Sequence, residues 1–346
     1  MEKKLLKTTR FARILKLNNE VIKSITTDYS VAPHDPAQEL AILKKLTILN
    51  NENVIRLRSY ATDGDELQLR FLYYRSNLYE YMQSQYQRSH NPYYSLDESP
   101  SYRNKFDVDR HCYDFFGQLV KGIAFIHSQQ IIHRDIKPQN IMMDFIDSDN
   151  IVLKITDFGI SYDYTSTKEP ENAKLTDVST SVYKAPELLF SVKNYSYKVD
   201  VWSLFIILSQ WLQNPRTKIK NIHYLPAIVD DGSDADTVHQ GSGSDIKLLL
   251  SIFAVLGTPS ALRWPDVMTF GSSDAFVGMF GENGDSNYIA DKSSNGQQEL
   301  FKKLLPGLED ISNIDHKNKL IYCCIGMAPF DSSERWSSKE LLDHLS

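Results

Sequence analysis

Three short groups of residues in the middle of the chain have the types and spacing needed to handle a phosphate group. The first is His133-Arg134-Asp135, which is followed by Lys137 and Asn140. The second, Asp157-Phe158-Gly159, begins 22 residues after Asp135, and the third, Ala185-Pro186-Glu187, begins 28 residues after Asp157. Eleven specified residues in a fixed order have a chance probability on the order of 10⁻¹⁴ if each position is ~1 in 20. We therefore interpret them as one constellation rather than as unrelated surface and turn residues.

The residue types suit the transfer of a phosphoryl group to a hydroxyl. This reaction needs in-line geometry and neutralisation of the phosphate charge, and little covalent chemistry from the protein. Asp135 can accept the proton of the attacking hydroxyl and orient it, while Lys137 is placed to meet the transferred phosphate. Asn140 and Asp157 offer the hard oxygen atoms that Mg²⁺ prefers. Gly159 would let the backbone turn sharply after the metal ligand.

In order and spacing, these groups resemble the catalytic loop, the metal-binding loop and the activation segment of protein kinases. The resemblance implies a bilobal α+β fold, in which a small antiparallel β-sheet lobe with one main helix precedes a larger, mostly helical lobe. It also implies ATP and Mg²⁺ as cofactors. Thr180, five residues before Ala185, resembles the threonine that bridges the catalytic aspartate and lysine in Ser/Thr kinases. Tyrosine kinases usually have arginine or alanine where Lys137 stands, so the resemblance favours Ser/Thr specificity.

The surrounding patterns predict the elements that position this constellation. The apolar runs at 54–60 and 67–73 predict a hairpin around Asp63-Gly64, and a helix is expected to open at Pro36. Beyond residue 75 the chain changes to long amphipathic helices, of which the clearest spans 109–128.

We predict one protein kinase domain over residues 1–346. The small lobe and hinge would occupy 1–74 and the large lobe 75–346. A polar, Tyr-rich insert at 87–108 and an acidic, Gly/Ser-rich loop at 229–245 would interrupt the large lobe without adding a core of their own.

The resemblance places the nucleotide site mainly in the small lobe. Val21-Ile22-Lys23 resembles the strand whose lysine holds the α- and β-phosphates, and Glu39 is the expected ion-pair partner of Lys23. The alternative is that Lys23 is an ordinary solvated lysine.

The adenine pocket follows from the same alignment. Its expected roof is formed by Leu6, Ile14 and Val21, its back by Phe71 and its floor by Met142. The hinge, whose backbone would meet adenine, is Leu72-Tyr73-Tyr74. A plain core role is equally compatible with these apolar side chains.

The phosphate loop departs from the family pattern. The segment before Lys23 should read G-x-G-x-x-G, but Lys7-Thr8-Thr9-Arg10-Phe11-Ala12 contains no glycine. Backbone amides could still cover the phosphates, and Lys7 or Arg10 could add charge, although close approach is sterically harder without glycine. This departure leaves a pseudokinase scaffold as an alternative. The presence of the four polar residues that such scaffolds usually lose argues against it: Lys23, Asp135, Asn140 and Asp157.

Other matches to the family concern the fold and its regulation. His133 and Asp200 resemble the pair that anchors the catalytic loop, and Glu187 and Arg335 resemble a buried ion pair that ties the activation segment to the large lobe.

Arg134 implies a positively charged pocket that, in many kinases, binds a phosphorylated residue of the activation loop. The acidic Asp177 is our candidate for satisfying this pocket without phosphorylation. We expect Asp177→Ala to lose activity while Thr176→Ala does not.

Over essentially the whole chain, the sequence resembles one small group, the monomeric CDK-activating kinases of budding yeasts. The segments that carry this resemblance are KTTRFARI, IIHRDIKPQNIM, DFGISYD, TDVSTSVYKAPELLF, VDVWSLFIILSQW, DDGSD and SSDAFVGMFGENGD. The resemblance implies phosphorylation of the activation-loop threonine of cyclin-dependent kinases by a single chain, a monomer that needs no cyclin. Residues 33–46 do not resemble the helix with which cyclin-dependent kinases grip cyclins. The segments HRDIKPQN and TSVYKAPELL resemble the wider cyclin-dependent and MAP kinase branch, and another kinase of that branch, such as a cyclin-dependent kinase proper, remains the alternative.

Composition and charge argue against several other classes. A net charge of −6 over 346 residues disfavours nucleic acid as the main partner. The longest apolar run, 199–212, contains polar residues and is too short to span a bilayer, and the N-terminus lacks a signal-peptide core. Three cysteines match no zinc or disulfide framework. We expect no membrane partner and a cytoplasmic location, with the nucleus as a second location.

Overall fold

The structure, a computed structural model, describes residues 3–27, 31–88, 102–147, 150–213, 225–233 and 243–346. The strands are β1 (Lys4–Thr8), β2 (Ala12–Leu17), β3 (Glu20–Thr26), β4 (Ser59–Asp63), β5 (Glu66–Leu72), β6 (Ser76–Asn77), β7 (Tyr86–Arg88), β8 (Tyr102–Asn104), β9 (Ile131–Ile132), β10 (Ile141–Phe145), β11 (Ile151–Ile155) and β12 (Tyr162–Asp163). The helices are α1 (Pro36–Leu49), α2 (Leu78–Ser84), α3 (Val108–Ser128), α4 (Pro186–Leu189), α5 (Lys198–Trp211), α6 (Asp245–Leu256), α7 (Pro265–Phe270), α8 (Ser273–Phe280), α9 (Ser294–Leu304), α10 (Ile314–Met327) and α11 (Ser338–Leu345).

The N-terminal part is a five-stranded antiparallel sheet with one long helix. The strand order is β1-β2-β3-β5-β4. Asn18 and Gly64 have positive φ angles of 54° and 55°, which the tight turns of the two hairpins require. The helix α1 begins where the Asp35 carboxylate accepts hydrogen bonds from the backbone amides of residues 37 and 38, and Pro36 occupies its first turn. This is the small lobe predicted from the sequence.

The hairpin predicted around Asp63-Gly64 is present, but it is shorter than its apolar pattern. Strand β4 begins at Ser59, and Val54 instead forms a bridge to Ile155 of β11. The apolar residues before Ser59 therefore belong to the junction between the two lobes.

The C-terminal part is built around α3 and α5. Every residue from Val199 to Trp211 of α5 is buried, so the long apolar run identified in the sequence is the central core helix. Helix α3 packs against α5, and its residues Phe116, Leu119 and Ile123 are fully buried. Among the described residues, every helix is too short or too polar to serve as a membrane span.

The two predicted loops are only partly within the described residues. At 87–108, β7 and β8 pair as a short antiparallel hairpin and α3 opens at Val108, while 89–101 lies outside the described part. At 229–245, residues 234–242 lie outside it. The division of the chain after residue 74 stays a prediction.

Candidate active site

The catalytic loop, which begins at His133, is anchored by one buried carboxylate of the core helix α5. Asp200 accepts hydrogen bonds from the backbone amides of His133, at 2.7 Å, and Arg134, at 2.8 Å, and it lies 2.9 Å from Nε2 of His127. Burial alone would raise the pKa of Asp200, but the hydrogen bonds and nearby imidazoles outweigh it and lower the pKa.

The expected His133–Asp200 pair is therefore made through the backbone of His133. The imidazole of His133 points elsewhere, with Nε2 lying 3.0 Å from the carbonyl oxygen of Thr156. That contact links the catalytic loop to the segment that leads into Asp157.

Four predicted catalytic side chains meet at one point. The hydroxyl of Thr180 donates to Oδ1 of Asp135 at 2.7 Å and accepts from Nζ of Lys137 at 2.8 Å. Nζ of Lys137 also lies 2.8 Å from Oδ2 of Asp135, and the amide of Asn140 donates to the same oxygen at 2.8 Å. The bridging geometry expected for Thr180 is thus present, and it fixes the Asp135 carboxylate at the mouth of the cleft.

Lys23 lies between two carboxylates. Its Nζ is 2.7 Å from Oε1 of Glu39, as predicted, and 2.7 Å from Oδ1 of Asp157. Burial alone would lower the pKa of Lys23, but the two carboxylates outweigh it and raise the pKa. The same contact holds the pKa of Asp157 well below its usual range, whereas burial raises the pKa of Glu39. Lys23 is therefore a paired cation and not an ordinary solvated lysine.

The donor set at the predicted metal site fits Mg²⁺. Asp157 stays ionised and its side chain is 46% exposed. The side-chain oxygen of Asn140 would be a second ligand atom, and the backbone carbonyl of Asn140 accepts from the amide of Thr156, the residue before Asp157, at 2.9 Å. The described residues contain no group of three or more His, Cys, Asp and Glu that could hold a metal alone. A metal here would complete its coordination with phosphate and water oxygens, as Mg²⁺ commonly does.

Most of the expected adenine-pocket residues share one face of the small-lobe sheet. Ile14 is paired with Lys23, and Val21 is paired with Phe71, so these side chains project to the same side as the Lys23 ammonium. Leu6 falls at an irregularity between Leu5 and Lys7 and is 42% exposed.

The remaining parts of the expected adenine pocket are its floor, Met142, and its hinge, residues 72–74. Met142, on β10, is half-buried. Leu72 and Tyr74 line a separate cavity of about 690 Å³ together with Arg58 and Lys154. In the hinge, the backbone amide of Tyr73 donates to the carbonyl of Asn19 at 3.0 Å, and the contact of this backbone with adenine stays a prediction.

The glycine-free loop is closed on itself by Thr9. Its hydroxyl accepts hydrogen bonds from the amides of Phe11, at 3.3 Å, and Ala12, at 3.0 Å, while its own amide donates to the carbonyl of Ala12 at 2.9 Å. Two of the amides that were expected to cover the phosphates are thus already engaged.

The role expected for Gly159 is wrong in its physical reason. The positive φ angle in this loop belongs to Asp157, at 69°. A Cβ on Gly159 would instead lie 3.3 Å from Oε2 of Glu39 and 3.6 Å from Nδ1 of His34. A side chain at this position would therefore crowd the carboxylate of Glu39, the partner of Lys23.

The expectation that Asp177 satisfies the Arg134 pocket is also wrong. Both oxygens of Glu169 accept hydrogen bonds from Nη1 of Arg134 at 2.9 Å, and Tyr195 accepts a third at 3.0 Å. Asp177 is fully exposed and lies 3.9 Å from Nζ of Lys184. The activation segment thus places a carboxylate in the pocket, but from eight residues earlier in the chain.

The predicted tie between the activation segment and the large lobe is confirmed. Both oxygens of Glu187 accept from the guanidinium of Arg335, at 2.7 and 3.0 Å, and both side chains are buried. The sequence pattern gave no individual role to three residues: Phe11 and His34, which stack on each other, and Glu169, which binds Arg134. No spacing rule singles them out, because the fold alone brings them to their positions.

Comparison with known proteins gives one family and two relatives by sequence, and one solved structure by fold. The family described as "Protein kinase domain" matches residues 10–231. The chain is 43% identical over 360 residues to the serine/threonine-protein kinase CAK1 of Saccharomyces cerevisiae, covering 99% of this chain and 96% of that protein. It is 27% identical over 244 residues to the serine/threonine-protein kinase ICK of Rattus norvegicus, covering 70% of this chain and 31% of that protein.

Among solved structures, the fold matches a chain of the yeast RNA Pol II CTD kinase CTDK-1 complex with a TM-score of 0.62 and 21% sequence identity. The match covers 98% of this chain and 90% of that one, and at this identity it shows a common fold.

Proposed function

The chain belongs to the protein kinase family and is a serine/threonine-protein kinase, and on that premise we propose that it phosphorylates the activation-loop threonine of cyclin-dependent kinases. The observation that supports catalysis most directly is the bridge from Thr180 to both Asp135 and Lys137. The substrate class is supported by the 43% identity to CAK1 over 99% of this chain, together with the shared loop segments of the CDK-activating group.

The side chains divide the work of the reaction. Asp135 would orient the substrate hydroxyl and accept its proton as the oxygen attacks the γ-phosphorus of ATP, whose bond to the β–γ bridging oxygen breaks to release ADP. Lys137 stands beside it, where its ammonium can neutralise charge on the transferred group. Lys23 would hold the α- and β-phosphates, and its ion pair with Glu39 supports this role.

Asn140 and Asp157 are the residues that would hold Mg²⁺, which neutralises phosphate charge when bound. In the described structure, the Asp157 carboxylate is paired with Lys23, so nucleotide and metal would bind to a carboxylate that is already ionised and oriented.

We also propose that the chain acts alone, as a monomer and without a cyclin. The pocket around Arg134 is filled by Glu169 of the chain itself, which supports an activation segment that needs neither a bound partner nor a phosphate to be ordered. We assign the protein to the cytoplasm, with the nucleus as a second location.

The test is to incubate the purified chain with Mg-ATP and a catalytically inactive cyclin-dependent kinase, in the absence of any cyclin. Phosphate is then mapped by mass spectrometry, with the Asp135→Asn variant alongside. We expect phosphate on the activation-loop threonine with the wild type and none with the variant. Phosphorylation of another protein but not of this threonine would leave a kinase of the same branch with a different substrate.

A further inference from the structure

The tip of the glycine-free loop, residues 9–12, is docked onto a histidine from a different part of the chain. The ring of Phe11 stacks on the imidazole of His34, with 3.7 Å between ring centroids and 29° between planes. Phe11 lies in the turn between β1 and β2, and His34 lies just before α1. The stack therefore ties two segments that only the fold brings together.

His34 stands at the phosphate end of the cleft. Its Nδ1 would lie 3.6 Å from a Cβ on Gly159, and the charges that act on its imidazole include those of Asp157, Lys23 and Asp135. A ring held against His34 is thus held beside the residues proposed to meet phosphate and metal.

The loop tip has few free amides to offer but it carries a positive charge. Thr9 occupies the amides of Phe11 and Ala12, so these two donors would have to break hydrogen bonds before they could bind phosphate. The guanidinium of Arg10 lies 5.3 Å from the centroid of the Phe11 ring. When the ring is docked, this charge is brought to the same end of the cleft, and it also acts on His34.

The loop tip and His34 border the same cavity. Thr9, Arg10 and Phe11 line a cavity of about 330 Å³ together with His34 and Pro36. The tip therefore borders a cavity on one side instead of packed core, and the ring contact with His34 bridges it to the segment before α1.

We propose that the Phe11–His34 stack holds the loop tip, and with it Arg10, over the phosphates of bound nucleotide, so that His34 is a positioning residue for ATP. The inference rests on the proposed use of ATP. A loop already held in its closed position loses less conformational entropy when nucleotide binds, so the stack increases affinity for the phosphates. It takes the place of the close amide approach that glycines would allow.

The test is calorimetric binding of Mg-ADP and of adenosine to the full chain. His34→Ala and Phe11→Ala should each weaken Mg-ADP binding about fivefold, the size expected for one ring stack, and the double variant should be no weaker than either single variant. Adenosine has no phosphates, so its affinity should stay unchanged. The KM for ATP should rise by the same factor with little change in kcat, and His34→Phe should restore binding because it keeps a stacking ring.

The matched control is His316→Ala. His316 stacks on Tyr113 of the large lobe, also at 3.7 Å between centroids, and its loss should leave both affinities unchanged. Equal weakening of adenosine, unchanged or tighter Mg-ADP binding in the alanine variants, or failure of His34→Phe to restore binding would each overturn the proposal. So would a wild-type chain that binds no Mg-ADP, whereas a wild type that binds Mg-ADP but phosphorylates nothing would count against the proposed function alone.

Discussion

The Thr180 hydroxyl joins the two groups that a phosphoryl-transfer site must keep in register. It donates to Asp135 and accepts from Lys137, so the carboxylate and the ammonium are set by one side chain of the activation segment. Both contacts need a hydroxyl, and a methyl group of similar size cannot make either of them.

Thr180→Val should therefore lower kcat by about 100-fold, since small displacements of catalytic groups are costly, while the KM for ATP stays nearly constant. Thr180→Ser keeps the hydroxyl and serves as the matched control, with a kcat near that of the wild type. Steady-state kinetics of both variants test this. A valine variant with wild-type kcat would remove Thr180 from the account.

Glu169 is the residue that we expect to replace an activating phosphate. Arg134 is buried, and its guanidinium donates hydrogen bonds to both oxygens of the Glu169 carboxylate. A neutral amide at position 169 would leave the guanidinium charge uncompensated. We predict that Glu169→Gln lowers the free energy of unfolding by about 2 kcal/mol and kcat on the order of tenfold.

Asp177→Ala is the control for Glu169→Gln, because the Asp177 side chain is fully exposed. We expect this change to leave thermal stability and kcat close to those of the wild type. Loss of activity in the Asp177 variant, together with wild-type activity in the Glu169 variant, would mean that Asp177 and not Glu169 occupies the Arg134 pocket.

At the scale of elements, the position of the catalytic loop depends on α5. Asp200 projects from this buried helix and binds two successive backbone amides of the loop. The depressed pKa of Asp200 means that its contribution to stability is present above the unfolded value of 3.8 and is lost as the pH falls through the lower folded value.

We predict that Asp200→Asn lowers stability by about 3 kcal/mol at pH 7, because an amide cannot accept both backbone hydrogen bonds. The difference in melting temperature from the wild type should be constant above about pH 5 and should shrink below about pH 4, where the Asp200 carboxylate of the unfolded chain begins to be protonated while that of the folded chain stays ionised. Thermal melts from pH 7 to pH 3 check this, with Asp177→Asn as the exposed control. A difference that grows toward pH 3 would contradict the assignment.

The sequence was most informative where chemistry fixes the spacing. The order of Asp135, Lys137 and Asn140 predicted their meeting, and the strand–helix context predicted the Lys23–Glu39 pair. It was least informative where a contact depends on how a loop folds back. Nothing distinguishes Glu169 from the nearby Glu171 in sequence, and only the path of the activation segment selects one of them.

The same limit applies to the elements. Periodicity predicted α3 to within one residue at its start and identified α5 as a buried helix. It extended the β4–β5 hairpin too far, because Val54 forms a bridge to Ile155 of β11 and does not continue β4. Alternation reports that a residue is buried, but it does not report which neighbour buries it.

At the scale of the whole molecule, the two lobes meet where residues 53–55 join β11. The amide of Ile55 donates to the carbonyl of Ile155, and the amide of Ile155 donates to the carbonyl of Asn53, each at 2.8 Å. Helix α3 presses against this junction at Gly122, where a Cβ would lie 2.8 Å from Cδ1 of Ile155 and 3.0 Å from the carbonyl oxygen of Asn53.

We predict that Gly122→Ala lowers the free energy of unfolding by about 2 kcal/mol, because the backbone at Asn53 cannot move aside cheaply. Gly117→Ala is the matched control on the same helix. Its Cβ would have no neighbour within 4 Å, so it should stabilise the chain by about 0.5–1 kcal/mol through helix propensity. Denaturant melts of both variants decide, and equal effects of the two changes would mean that α3 does not clamp the lobes together.

The central claim is that this chain is an active kinase as it stands, despite its glycine-free loop. The most direct measurement is the transfer of phosphate from Mg-ATP to a protein hydroxyl by the purified wild type and by Asp157→Ala, with no other protein added except the substrate. The account predicts transfer by the wild type that disappears in the variant, because the Asp157 carboxylate is needed at the phosphates. Nucleotide binding without transfer by the wild type, or equal transfer by both proteins, would contradict it.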